Sequence, residues 1–307
     1  MPNRNHLPSP HYIDLDGERI ATYVLEPLDE EPIGEVVLCH GTPWSSAVWA
    51  PVARKLSSTR RVFLWDMPGY GASISGRHPD VDLVTQRRRF ATLLEHWELV
   101  CPDVLAHDIG GAVALGAHLL EAASISSLYL LDVVTLDPWG SPFFRLVAQH
   151  QEVFAALPRN LHAALVCEYI AGASNGQLDA RWIDELTSPW CTRDGQRDFY
   201  RQIAELSPAH TRPITERLRD VICPVRIGWG KSDPWIPVSQ AAELAQYLPG
   251  NVGIFTIPDA GHLVPLEASE LLTADIASWL NHVRRDKPKT INDNAAGCLT
   301  SYSSHRI

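Results

Sequence analysis

Six places in the chain set an acid or a histidine just after a short apolar run. They are His40-Gly41-Thr42-Pro43, Asp66, His107-Asp108-Ile109-Gly110-Gly111, Asp132, Asp233 and His262. Carboxylates and an imidazole brought together can act as nucleophile, general base and orienting acid. The sharpest signal is Ala106-His107-Asp108-Ile109-Gly110-Gly111, which has the small-x-nucleophile-x-small-small form of a strand-to-helix elbow. Small residues are needed there because the turn is tight and the helix packs close to the strand. The residue pushed out at the top is Asp108, where Ser is the commoner occupant. An aspartate before a helix can also be a simple cap, but the elbow context favours a nucleophile. The helix N-terminus behind it favours negative charge and supplies N–H donors.

The elements that must position these residues can be read from periodicity. An alternating pair at 11–15 and 19–24 flanks Asp16-Gly17, a hairpin signal. Short apolar runs follow at 35–39, 61–65, 103–106, 128–134, 225–229 and 252–257, and helical patterns at 83–97, 112–120, 240–247 and 268–283. Alternation of this kind predicts βαβ units: an α/β fold with a mostly parallel sheet covered by helices on both faces. Ligands of such sheets bind beyond the carboxyl ends of the strands, where all six sites above lie. Between positions 134 and 225 the rhythm breaks: about ninety residues hold helical patterns at 143–157, 161–173 and 181–186, with no clear strand. The chain is thus expected to divide into a core of 1–134 and 214–285, a helical insertion of 135–213 after the sixth strand, and a polar, flexible tail of 286–307.

Composition narrows the function classes. The 307 residues are 45% hydrophobic and 20% charged, which excludes a mainly disordered chain. With 26 Lys and Arg against 36 Asp and Glu, the formal charge is −10, a poor basis for binding nucleic acid. The one compact basic run, Arg87-Arg88-Arg89, is expected on a solvated helix face. Six cysteines lie scattered without CxxC spacing, so neither a zinc site nor a disulfide framework is expected. The first residues lack an apolar targeting segment, and no apolar run is long enough to span a membrane. These features predict a cytoplasmic protein without a metal or cofactor; a small-molecule substrate and a monomer or homodimer are further expectations.

The order of five segments resembles the α/β-hydrolase superfamily from about Tyr12 to Val283. They are His40-Gly41-Thr42-Pro43, Asp66-Met67-Pro68-Gly69-Tyr70-Gly71, the elbow, Gly230-Lys231-Ser232-Asp233, and Ala260-Gly261-His262. The Asp elbow with a His-Gly-x-Pro loop is similar to the epoxide hydrolase and dehalogenase branch, in which the helical insertion forms a cap over the site. The resemblance implies Asp108 as nucleophile, His262 as general base and Asp233 as the acid that orients it, with Asp132 the rival for that last role. It also implies an oxyanion hole at the N–H groups of Thr42 and Ile109, and a cis peptide at Thr42-Pro43. His40 and His107 are expected to be structural, and Asp66 to shape its loop.

The resemblance leaves the reaction open. Epoxide hydrolases carry a pair of cap tyrosines that bind the ring oxygen. Tyr200, in Arg197-Asp198-Phe199-Tyr200-Arg201, looks like one of them, and Tyr169 is the only other tyrosine of the insertion. Helix packing is the plainer expectation for Tyr169. Trp44, Trp139 and Trp190 are candidates for aromatic walls. Haloalkane dehalogenases and most epoxide hydrolases have Trp directly after the nucleophile, and fluoroacetate dehalogenases have Arg; here the residue is Ile109. The leading expectation is an Asp-nucleophile hydrolase acting on an epoxide of an apolar, uncharged small molecule. The alternatives are a dehalogenase with an atypical halide site, an ester or lactone hydrolase, and a non-hydrolytic enzyme of the same fold, a cyclase or cofactor-free oxygenase.

Overall fold

A computed structural model describes residues 6–286 apart from 177; of the expected tail of 286–307, Asp286 ends the last helix and the rest lies outside the described residues. Eight strands form one sheet in the order β1-β2-β4-β3-β5-β6-β7-β8. β1 (His11–Leu15) and β2 (Glu18–Leu25) are antiparallel, with Leu15 opposite Glu18. The two turn residues, Asp16 at φ 52° and Gly17 at φ 81°, have the positive φ that a tight hairpin with strand-matching twist requires. β3 (Glu35–Cys39), β4 (Arg61–Trp65), β5 (Asp103–His107), β6 (Ser127–Leu131), β7 (Val225–Gly230) and β8 (Gly253–Ile257) run parallel to one another. β3 through β6 are buried almost throughout, as strands covered on both faces must be.

The crossovers run in both directions from β3. Its neighbours are β4 on one side and β5 on the other, so the carboxyl ends of β3 and β5 flank the point where the strand order reverses. The loop after β3 is His40–Pro43, and the turn after β5 is Asp108. Around the sheet pack α1 (Ala50–Leu56), α2 (Leu83–His96) and α3 (Ile109–Leu120), with α3 buried along nearly its whole length.

Between β6 and β7 the chain forms α4 (Pro142–Gln149), α5 (Gln151–Ala155), α6 (Arg159–Ala171), α7 (Ala180–Thr187), α8 (Arg193–Glu205) and α9 (Pro208–Thr215). The single helix expected over 143–157 is two, because His150 at φ −135° and ψ 35° leaves the helical region. α8 and α9 have no counterpart in the periodicity reading. The remaining helices are α10 (Ser239–Tyr247), α11 (Val264–Glu267) and α12 (Ser269–Asp286).

Two further expectations are corrected. β6 ends at Leu131 rather than at 134, because Asp132 adopts φ 46° and turns the chain out of the sheet. The basic run of α2 is not a solvated face. Arg87 pairs with Glu121 at 2.8 Å, Arg89 is buried and donates to the Asp80 carbonyl at 2.5 Å, and only Arg88 is exposed. Among the described residues, no helix is long and apolar enough to cross a membrane.

Candidate active site

The elbow is a strained turn held by close packing. Asp108 sits at φ 54° and ψ −125°, a conformation costly for a residue with a side chain. Its backbone is tied on both sides: its N–H donates to the Leu131 carbonyl at 3.2 Å, and its own carbonyl accepts from Gly111 N at 3.0 Å and Val134 N at 3.0 Å. Glycine is required at 110, where a Cβ would lie 2.6 Å from the His40 carbonyl oxygen. At Gly41 a Cβ would lie 2.3 Å from that of Asp108. The small residues therefore let the β3 loop and the elbow touch.

That contact orients the carboxylate. Thr42 N–H donates to Asp108 Oδ1 at 2.6 Å. The loop offers no nearer alternative: Pro43 has no N–H, and Trp44 N–H is taken by the Gly41 carbonyl at 3.1 Å. The Thr42–Pro43 peptide is cis. Ile109 opens α3, where a backbone N–H has no partner within the helix. The other carboxylate oxygen, Asp108 Oδ2, lies 3.4 Å from His262 Nε2.

His262 bridges two carboxylates. Its Nδ1 is 2.7 Å from Asp233 Oδ2, while Asp233 Oδ1 accepts the N–H groups of Trp235 at 2.7 Å and Ile236 at 3.0 Å. Burial alone would lower the His262 pKa, but the charges of Asp233 and Asp108 outweigh it and hold the imidazole well above its ordinary value. Burial pushes Asp233 the other way, and the facing imidazolium brings its pKa below the usual carboxylate range.

Asp132 is not the acid bonded to His262. Its Oδ1 accepts Gly230 N–H at 2.8 Å, and its carboxyl is buried against Asp233. Desolvation first, and then the Asp233 charge, raise its pKa well above normal. Asp132, Asp233 and His262 place ligand-type atoms within 4.8 Å of one another. A protonated Asp132 beside an ionised Asp233 accounts for that cluster without a cation, since two adjacent buried carboxylates do not both ionise.

The neighbouring polar groups are structural. His40 Nε2 accepts Met67 N–H at 2.9 Å, so its Nδ1 carries the proton and donates to the Gly41 carbonyl at 2.8 Å. His107 Nε2 donates to the His262 carbonyl at 2.9 Å, and burial pushes the His107 pKa down to about 3. Asp66 accepts N–H groups of Ser46 and Ala72, both at 2.8 Å, and so shapes two loops. Cys39 is buried in β3, and burial raises its thiol pKa to about 12, which fits a bystander.

A cavity of about 70 Å³ opens onto Asp108. Thr42, Asp108 and Ile109 form its floor; Trp139, Ser141, Phe144 and Tyr169 come from the helical insertion; Trp235, Ile236, Pro237 and Gln240 close the far side. No Lys, Arg or His is among the lining residues, so the cavity suits an uncharged guest.

The structure sorts the expected insertion residues differently from the sequence. Tyr200 does not line the cavity: it is fully buried, and its hydroxyl lies 2.8 Å from His162 Nδ1. His162 Nε2 donates to the Trp190 carbonyl at 3.0 Å, so Nδ1 is the acceptor and Tyr200 the donor. Tyr169, expected to be packing, lines the cavity and stacks on Trp235 at 4.7 Å. Its pKa is raised well above that of free phenol, chiefly by burial and then by the Asp108 charge, so it is a neutral donor. Trp139 lines the cavity with its Nε1–H directed to Thr211 Oγ1 at 3.0 Å. Trp44 stands one layer back, stacked on Trp235 at 5.4 Å. Trp190 is buried and donates to the Pro43 carbonyl at 2.8 Å. The sequence reading missed Trp235, although it lies two residues after Asp233, and it missed Gln202 and Ser141, which carry no motif.

The chain matches the alpha/beta hydrolase family over residues 36–275. It is 26% identical over 277 residues to the dihydrolipoyllysine-residue acetyltransferase component of the acetoin cleaving system of Pseudomonas putida, covering 89% of this chain and 70% of that one. An alpha/beta hydrolase fold protein from Burkholderia ambifaria superposes with a TM-score of 0.84 at 39% identity, covering 90% of this chain and 100% of the other. A haloalkane dehalogenase from Bradyrhizobium elkani shares the fold, with a TM-score of 0.71 at 18% identity over 90% of this chain and 99% of that one. With the strand order, the elbow and the histidine loop in place, the chain belongs to the alpha/beta hydrolase family.

Proposed function

We propose that this protein is a hydrolase whose Asp108 attacks a saturated carbon, and that its substrate is an epoxide of a small, uncharged, largely apolar molecule. The observation that carries the reading is the division of the Asp108 carboxylate. Oδ1 is held by the Thr42 N–H at 2.6 Å, Oδ2 lies 3.4 Å from His262 Nε2, and Asp108 lines the cavity.

In the first step Asp108 Oδ2 bonds to a ring carbon and the C–O bond of the epoxide breaks. The electron pair leaves on the ring oxygen, which takes a hydrogen bond and then a proton from the Tyr169 hydroxyl. Tyr169 is reprotonated from solvent. Esterification removes the Asp108 charge, and with it part of what holds the proton on His262. His262 gives its proton to solvent, and the neutral imidazole then takes a proton from water, whose oxygen attacks Asp108 Cγ. Negative charge develops on Oδ1, already bonded to Thr42 N–H. Collapse breaks the Cγ–Oδ2 bond, the leaving oxygen takes the proton held by His262, and the acid proton on the new carboxyl passes to solvent, so that epoxide plus water gives diol and Asp108 is restored with one oxygen from water. Asp233 keeps the imidazole oriented and stabilises its charged form.

An oxygen leaving group suits this cavity better than a halide. A halide cradle needs a pair of N–H donors; Trp139 directs its own to Thr211 and the Ile109 side chain has none, which leaves Trp235 to supply an indole N–H alone. Tyr169 offers a hydroxyl proton instead. A panel of uncharged epoxides, haloalkanes and carboxylic esters tests the reading. Diol release from epoxides outpacing halide and acid release by at least about tenfold is expected; preferential halide release would overturn the epoxide assignment.

A further inference from the structure

The donor that holds Asp108 is itself held from the helical insertion. Thr42 Oγ1–H donates to Gln202 Oε1 at 2.5 Å, and Tyr70 O–H donates to the same oxygen at 3.1 Å. Gln202 lies on α8, and Gln202, Tyr70 and Thr42 are all buried. Gln202 is not among the residues that line the cavity, and its Nε2 has no partner. A buried amide left half satisfied is costly.

We propose that Gln202 is a positioning residue that fixes the oxyanion loop by clamping the Thr42 side chain, so that the insertion sets the oxyanion donor as well as roofing the cavity. The Thr42 hydroxyl donates to Gln202 Oε1 and lies beside the Tyr70 hydroxyl, and the Thr42 backbone N–H must meet Asp108 Oδ1 at 2.6 Å. Trp190, also from the insertion, holds the next residue through the Pro43 carbonyl at 2.8 Å. Two insertion side chains therefore anchor two consecutive loop residues, and the first of them carries the donor. A donor preorganised where charge develops needs no reorganisation during reaction.

The inference rests on the Asp108 reading for its effect on turnover, but its structural claim does not. The test uses the full chain with Gln202→Leu, which removes the acceptor, Gln202→Glu, whose protonated form keeps a carbonyl in its place, and Thr42→Val, which removes the hydroxyl and keeps the N–H. Hydrogen exchange and the proton shift of the Thr42 amide are read by NMR without substrate. Gln202→Leu and Thr42→Val are each expected to speed exchange of that amide at least about tenfold and move its resonance upfield, while Gln202→Glu restores both. With styrene oxide as probe, kcat is expected to fall about tenfold to a hundredfold with KM within about threefold. An unchanged Thr42 amide in both Gln202→Leu and Thr42→Val overturns the clamp, whatever happens to activity. A loosened amide with no turnover of styrene oxide by the parent supports the clamp and counts against the epoxide reading alone.

Discussion

Asp108 Oδ2 and His262 Nε2, the ring nitrogen not engaged by Asp233, face each other at 3.4 Å. The two residues come from turns after β5 and β8, 154 positions apart in sequence. Their ionisation is linked: Asp108 is one of the charges that raise the His262 pKa. Conversion of Asp108 to a neutral ester must therefore lower it.

This linkage predicts two different titrations. In the free enzyme His262 stays protonated well above the pH at which an ordinary imidazole loses its proton. In the alkyl-enzyme it must be neutral to accept a proton from water. The acid limb of the kcat–pH profile is therefore expected below the His262 midpoint measured by NMR on the free enzyme. Asp108→Asn should move the NMR midpoint downward in the same way. Coincident midpoints in all three measurements would break the link.

Tyr169 and Tyr200 are expected to separate cleanly. Tyr169→Phe removes the proton donor in the cavity and should lower kcat on epoxides by about 10²- to 10⁴-fold. Tyr200→Phe leaves His162 Nδ1 without its donor in a buried setting. It should cost about 1–3 kcal/mol of stability in urea unfolding and change kcat only a few-fold. The reverse pattern would return the acid role to Tyr200.

Asp132 gives a prediction about stability. Its folded pKa is raised, so between the unfolded value near 4 and the folded value the native state binds the extra proton. Stability contributed by this group is present at low pH and is lost as pH rises through that window. Asp132→Asn keeps an acceptor for Gly230 N–H and a donor for Asp233 but does not titrate. Its stability relative to the parent should improve steadily from about pH 5 to about pH 8 in urea unfolding; a gap independent of pH would refute a shared proton.

Much of this site was legible because strand carboxyl ends are easy to find. The runs before His40, Asp108 and His262 are short, apolar and flanked by glycine, and a parallel sheet brings such ends to one edge. The insertion was harder. Tyr200 sits in the more suggestive segment, yet its direction is decided by His162, 38 residues earlier. Tyr169 has no motif, and stacking on Trp235 across 66 positions is what turns it to the cavity. α8 was invisible as a periodic element because its buried face includes the polar Gln196, Asp198 and Gln202, each answered by a tertiary partner. The same reason explains Arg87 and Arg89, whose charges are met by Glu121 and a backbone carbonyl.

Covalent attack by Asp108 is tested most directly by isotope transfer. The enzyme is turned over repeatedly on an uncharged epoxide such as styrene oxide in heavy-oxygen water, then digested, and the peptide containing Asp108 is weighed. Attack through the carboxylate predicts heavy oxygen in Asp108, because water enters at its Cγ, and a single turnover in limiting substrate should place unlabelled oxygen in the diol. An unlabelled Asp108 after many turnovers, with turnover retained in Asp108→Asn, would contradict the account.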